Sequence, residues 1–223
     1  MSATETEYEP ENFVIGGYDL QITTIAFLPI EVLMANREKE TEISGQKLWC
    51  GSLGVIQHIL NNPAIVENKI VIELGAGTGV LGMICTKKGA NTVYLTDHDI
   101  ISINHMKTDC EQNNVTALVK RLDWYNPNIE DWELESRIAG SDGLLLVAGD
   151  VLYKAVLLDP FFRTTAMLMK QYTGTKLYLC HIPRAGIEYA QVLSKAESVG
   201  LQAEEIPREL WISGECFEYC DPD

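Results

Sequence analysis

Two hydrophobic rhythms divide the chain. Runs that are apolar at nearly every position suit strands buried on both faces of a parallel sheet, and they fall at residues 70–74, 92–96, 115–122, 143–149 and 176–180. Between them apolar residues recur every three or four positions, the period of an amphipathic helix. That spacing predicts helices over residues 52–61 with Ser52 as the capping residue, from Val80 through Ile84, and over 101–113, 157–172 and 186–199, with Gly200 closing the last. Residues 12–28 alternate loosely around Gly16-Gly17 and predict a β-hairpin. Two further short strands are expected near residues 203–206 and 216–219. Strands alternating with helices imply an α/β fold built on a doubly wound, mostly parallel sheet, here of seven strands with a short N-terminal β extension.

This pattern fits one domain over residues 12–223, with 12–44 as the extension and 45–223 as the core. Residues 1–11 are acidic and polar and read as a disordered tail. Residues 31–44 read as a loop or short helix, and 125–142, containing Pro127, Trp132 and Gly140, as an exposed connection.

The first strand of the core runs straight into Gly75, Gly77 and Gly79, and an apolar helix follows. Strand, glycine turn and helix let a ligand approach the backbone with no Cβ in the way, beside helix N–H groups. Twenty-two residues after Gly75, Asp97 ends the next strand, where a parallel neighbour delivers a carboxylate to a ribose. The unit is a nucleoside pocket. A literal dinucleotide fingerprint exists at Gly77, Gly79 and Gly82, but its first glycine lies three residues past the strand. The set in register is Gly75-x-Gly77-x-Gly79, preceded by the acidic Glu73. Right-handed crossovers bring the strand ends to one rim, so Asp123-Trp124 and the segment from Asp150 to Tyr153 join these residues there.

The net charge of −15 argues against nucleic acid, which needs a basic footprint, and allows basic protein partners. No apolar run approaches a membrane span, and no signal peptide is expected. Six scattered cysteines without a C-x-x-C suit a reduced, cytoplasmic or nuclear protein. The four histidines are spaced too poorly for a metal site, and no G-x-S-x-G elbow is present.

Taken together, Trp49, Glu73-Leu-Gly-Ala-Gly-Thr-Gly79, Asp97, Asp123-Trp124 and Asp150-Val-Leu-Tyr153 resemble the family 16 methyltransferases. These are class I, Rossmann-like enzymes that use S-adenosylmethionine and mostly modify lysines of non-histone proteins; the resemblance covers roughly residues 12–200. It implies that Gly75, Ala76 and Gly77 meet the methionine and ribose portion of the cofactor, with Glu73 preceding them. Asp97 would hold the ribose hydroxyls, Asp123 and Trp124 would lie near the adenine, and Trp49 would close the pocket. Gly149 stands where members often have Ala, and Asp150 and Tyr153 would face the incoming lysine. The acidic Asp97-His98-Asp99 and the C-terminal segment with Cys216 and Cys220 depart from the family pattern.

The chemistry asks for alignment of a nucleophile with a methyl group. A lysine amine, with a reference pKa of about 10.4, must shed a proton first. Asp150 would orient the ammonium and accept that proton, while desolvation between Tyr153 and Trp49 opposes the anion's upward pull on the pKa. Val151 and Leu152 stand where enzymes acting on adenine or amide nitrogens commonly carry two prolines. The implied protein is a monomeric protein lysine methyltransferase. The alternatives are another acceptor (arginine, histidine or a small amine) or a cofactor-binding module without catalysis.

Overall fold

The computed structural model describes residues 6–27, 44–208 and Tyr219. An antiparallel hairpin comes first, β1 (Glu7–Ile15) and β2 (Tyr18–Phe27), joined at Gly16 and Gly17, both with positive φ. It begins earlier than expected. Residues 7–11, assigned above to a disordered tail, pair with residues 22–27. Their side chains are polar and give no apolar signal; the ladder forms because β2 is anchored through buried Leu20, Ile22 and Thr24.

The core then runs α1 (Cys50–Asn61), β3 (Ile70–Leu74), α2 (Val80–Lys87), β4 (Thr92–Asp97), α3 (Ile100–Gln112), β5 (Leu118–Arg121), α4 (Leu134–Ala139), β6 (Leu144–Gly149), α5 (Ala155–Gln171), β7 (Lys176–Cys180) and α6 (Tyr189–Ser198). The five strands pair in parallel in the order β5-β4-β3-β6-β7. The winding reverses between β3 and β6, so their carboxyl ends flank the switch point at which open α/β sheets bind ligands.

Strand alternation splits the interior in two. Val71, Val93, Leu95, Leu145 and Val147 face α1, α2, α3 and the hairpin. Ile70, Ile72, Leu74, Tyr94, Leu144 and Leu146 face α5, α6 and the segment around Trp132. That segment corrects the expectation of an exposed connection: Trp132 is buried and stacks on Tyr94, whose hydroxyl donates to the Trp132 carbonyl at 2.5 Å. An aromatic residue with a nearby hydroxyl partner seals the sheet face, and polar flanks hide this from the sequence.

Three other expectations shift. The helix predicted from Ser52 starts at Cys50 with Trp49 at its N-cap, and Ser52 lies inside it. The last predicted helix starts at Tyr189, because residues 184–187 form a tight turn with Ala185 and Gly186 at positive φ. Residues 203–206 are not a strand; they are largely exposed and lack the buried face that fixes strand register. The expected strand at 216–219 and most of the 31–44 segment lie outside the described residues.

Side chains finish what the backbone leaves open. Thr23 donates its N–H and hydroxyl to Asp109 of α3 at 3.0 and 2.7 Å, and Asn113 exchanges two bonds with the main chain of Gln21. They occupy the outer edge of β2, which would otherwise present unpaired groups to another chain. Pro160 sits inside α5 and has no N–H for the carbonyl of Val156. The Tyr125 hydroxyl donates to that carbonyl at 3.3 Å instead.

Candidate active site

The loop after β3 is built on left-handed backbone: φ is 68° at Gly75, 55° at Gly77 and 74° at Gly79. Side chains resist this region, and space forbids them too. A Cβ on Gly75 would lie 2.9 Å from Val151 Cγ1 and 3.1 Å from the Trp124 ring, and one on Gly77 would lie 2.9 Å from the Gly45 carbonyl oxygen. The tails of β3, β5 and β6 therefore converge at Gly75, and the turn at Ser44–Gln46 covers Gly77.

Main-chain donors hold Asp97. Its Oδ2 accepts from Gly77 N at 2.9 Å and its Oδ1 from Asp99 N at 3.0 Å, in a carboxylate that is itself buried. Asp99 caps α3 through Ser102 N at 2.9 Å and also accepts from Gln46 Nε2 at 3.4 Å, while the Tyr8 hydroxyl donates to Gln46 Oε1 at 2.9 Å. A hydrogen-bonded chain thus links the N-terminal hairpin to the corner at Asp97. Glu73 lies beneath the loop, fully buried, with Oε2 accepting from Gly82 N in the first turn of α2 at 2.8 Å. Burial pushes its carboxyl up to about 8. Asp123 accepts from Tyr125 N at 2.9 Å within its own turn, and the Trp124 ring packs edge-on against Phe161 at 5.1 Å.

At the end of β6 the first turn of α1 meets the chain without intervening side chains. A Cβ on Gly149 would lie 2.4 Å from Ser52 Cα, and one on Gly51 would lie 2.8 Å from Asp150 N. Glycine at 149 is therefore required by packing here, at a position where the resembling family often has Ala. Asp150 takes φ of 62°, unusual for a side-chain-bearing residue, with N–H donated to Cys180 O at 2.9 Å. Strain of this kind gathers at functional sites.

The Asp150 carboxylate is 2% exposed and paired with Arg184: Nη1 donates to Oδ2 at 2.7 Å, and Nη2 to the Asp150 main-chain oxygen at 3.2 Å. The guanidinium carbon stands 4.6 Å from the centre of the Trp49 ring and 6.0 Å from that of Tyr153. Trp49 is fixed by its indole N–H, which donates to Ser44 O at 2.6 Å.

The sequence-predicted residues fall into two groups around the switch point. Gly75, Ala76, Gly77, Asp97 and Trp124 gather at the ends of β3, β4 and β5; Trp49, Gly149, Asp150 and Tyr153 gather at the end of β6. Glu73 supports the loop from below. Arg184, Gly51, Gly45 and Gln46 went unremarked in the sequence, because each acts through a partner remote along the chain. Their only local signals are a Trp-Cys-Gly helix start and a Pro-Arg-Ala-Gly turn.

A protein-family model described as lysine methyltransferase matches residues 30–196. The chain is 32% identical over 111 residues to the electron transfer flavoprotein beta subunit lysine methyltransferase of Danio rerio, covering 50% of this chain and 39% of that one. It is 27% identical over 183 residues to methyltransferase-like protein 22 of Mus musculus, covering 72% and 44%. It thus spans less than half the length of these curated relatives. Among solved structures, a T. thermophilus 16S rRNA methyltransferase in complex with AdoMet and guanosine superposes with a TM-score of 0.54 at 15% identity, over 86% of this chain and 46% of that one. SMU.776, complexed with SAH, gives 0.53 at 11% identity, over 90% and 49%. At such identities the likeness is one of fold.

Proposed function

This chain belongs to the lysine methyltransferase family, and from that premise we propose that it is an S-adenosylmethionine-dependent methyltransferase acting on lysine side chains of a protein substrate. The observation that carries the reading is the convergence at Gly75: the glycine loop touches Val151, next to the buried Asp150 carboxylate, whose Arg184 partner lies against Trp49 and Tyr153.

The cradle suits the cofactor's chemistry. Residues 75–79 include no Lys or Arg, so the loop offers backbone approach without a phosphate clamp. S-adenosylmethionine is a nucleoside without phosphates, and when bound it supplies an electrophilic methyl group on a sulfonium sulfur. Gly75, Ala76 and Gly77 would hold its methionine and ribose portion. The remaining lone pairs of Asp97 would accept ribose hydroxyls, because Gly77 and Asp99 fix the carboxylate's orientation in advance. Trp124 would flank the adenine, with Asp123 alongside.

Asp150 would bind the substrate ammonium and take its proton. Trp49 and Tyr153 would exclude water and favour the neutral amine by desolvation. The acidic surface, at net charge −15, would draw basic faces of a protein partner and repel nucleic acid. Among the described residues no helix is long and apolar enough to cross a membrane. Free thiols at Cys50, Cys85, Cys110 and Cys180 fit a reducing compartment, the cytoplasm or nucleus, and a monomer suffices for the site.

Incubation with isotope-labelled cofactor and a proteome lacking this enzyme, followed by mass-spectrometric mapping, tests the reading. Label on a protein lysine supports it. Label on arginine, histidine or a small amine, or cofactor binding with no transfer, overturns it.

A further inference from the structure

Arg184 lies between β7 and α6 and fills the corner that the proposed function assigns to a substrate ammonium. Its guanidinium meets the Asp150 carboxylate at 2.7 Å, with Trp49 and Tyr153 at 4.6 and 6.0 Å. A buried carboxylate with aromatic rings beside the position its counter-ion takes is a recognition site for a cation. Here an internal cation satisfies it.

The supporting turn fixes where Arg184 starts but leaves its head a way out. Ile187 N donates to Arg184 O at 3.0 Å, Ile187 is buried, and its carbonyl pairs with His181 Nε2 at 3.0 Å. The side chain of Arg184 is 29% exposed while that of Asp150 is 2% exposed. The guanidinium can swing into water; the carboxylate stays.

We propose that Arg184 is a specificity-determining residue that occupies the acceptor corner in place of the substrate ammonium, shutting out free amines and yielding only to a lysine presented on a docked protein surface. This rests on reading the corner as the lysine site. A tethered guanidinium acts at an effective concentration on the order of millimolar, which a free amine must exceed. A lysine on a docked surface is tethered too and competes on equal terms.

The test is a nuclear magnetic resonance titration of the cofactor-free protein with N-α-acetyl-lysine methylamide. Arg184→Gln should bind this probe about tenfold or more tightly than wild type, because the closed population no longer depletes the competent one. Arg184→Lys keeps the charge but loses the two-pronged contact, so it should fall between them; if the Gln variant folds poorly, the Lys variant carries the test. Affinity for S-adenosylhomocysteine, read by calorimetry, should match wild type in both. Equal probe affinity in wild type and variants overturns the proposal, as does a loss of cofactor affinity, which would make Arg184 a structural strut. If wild type labels protein lysines while probe affinities are equal, only this inference fails. If neither wild type nor Arg184→Gln labels any lysine, the underlying reading fails and this one falls with it.

Discussion

At the β3–β4 end of the rim, Asp97 is held by the main-chain N–H groups of Gly77 and Asp99; at the β6 end, Asp150 is held by the Arg184 side chain. Both carboxylates are buried; Asp97 ends β4 and Asp150 directly follows β6. Their partners differ in what it takes to leave. A backbone donor departs only if its loop rearranges, whereas a guanidinium departs by rotating a few side-chain bonds. On the proposed reading, the first arrangement would be preorganised for a constant ligand and the second exchangeable for a variable one. The same residue type would thus serve two ends of one site through the kind of donor it faces.

Asp150→Asn should give the largest effect and test the acceptor end. It keeps shape but loses the charge that orients an ammonium and takes its proton, so turnover should fall by about 10²–10⁴-fold, the range for a positioned acid–base group. Transfer kinetics with the mapped substrate check this; turnover within a few fold of wild type removes Asp150 from the chemistry.

Glu73→Gln probes the cofactor end from beneath. Burial pushes the Glu73 carboxyl in the folded protein up to about 8 from its ordinary 4.5. The folded state therefore holds a proton that the unfolded state has lost across this window. Its stabilisation is complete below the lower value and drains away as pH rises to the upper one, a loss on the order of a few kcal/mol. The variant does not titrate and can still accept from Gly82, so its melting temperature should gain on wild type from about pH 5 and level off above about pH 8. Parallel melting curves would show that Glu73 titrates normally.

Gly149→Ala asks whether the packing of α1 sets the position of Asp150. The added methyl meets the Ser52 backbone, which cannot yield as a side-chain tip could. Overpacking of this kind costs about 1–3 kcal/mol, readable by chemical denaturation. Unchanged stability would mean that α1 slides freely over the end of β6.

Tyr8→Phe should give the smallest effect. It removes the hydroxyl donated to Gln46, at a cost of about 0.5–1.5 kcal/mol. The same denaturation experiment checks it, and a loss well beyond that range would show that the hairpin supports more of the Asp97 corner than one bond.

These contrasts also mark what the sequence could say. Residues 70–74 and 176–180 were legible as strands to the residue, because each is a short run of mostly apolar, β-branched or aromatic residues bounded by polar residues or glycine. The glycine spacing and Asp97 were legible because a βαβ unit fixes them locally. Residues 7–11 were not, since a polar strand borrows its order from its partner. Trp132 was read as exposed because its stacking partner, Tyr94, belongs to a strand 38 residues earlier. Arg184 escaped notice for a like reason: an ion pair spanning 34 residues leaves no local periodicity.

Calorimetric titration of S-adenosylhomocysteine into wild type, Asp97→Asn and Asp150→Asn tests the division of the rim most directly. The account predicts that affinity drops about tenfold or more in Asp97→Asn, the loss of one charge-assisted hydrogen-bond acceptor, and stays at the wild-type value in Asp150→Asn. Loss of cofactor binding in Asp150→Asn, or its retention in Asp97→Asn, would contradict it.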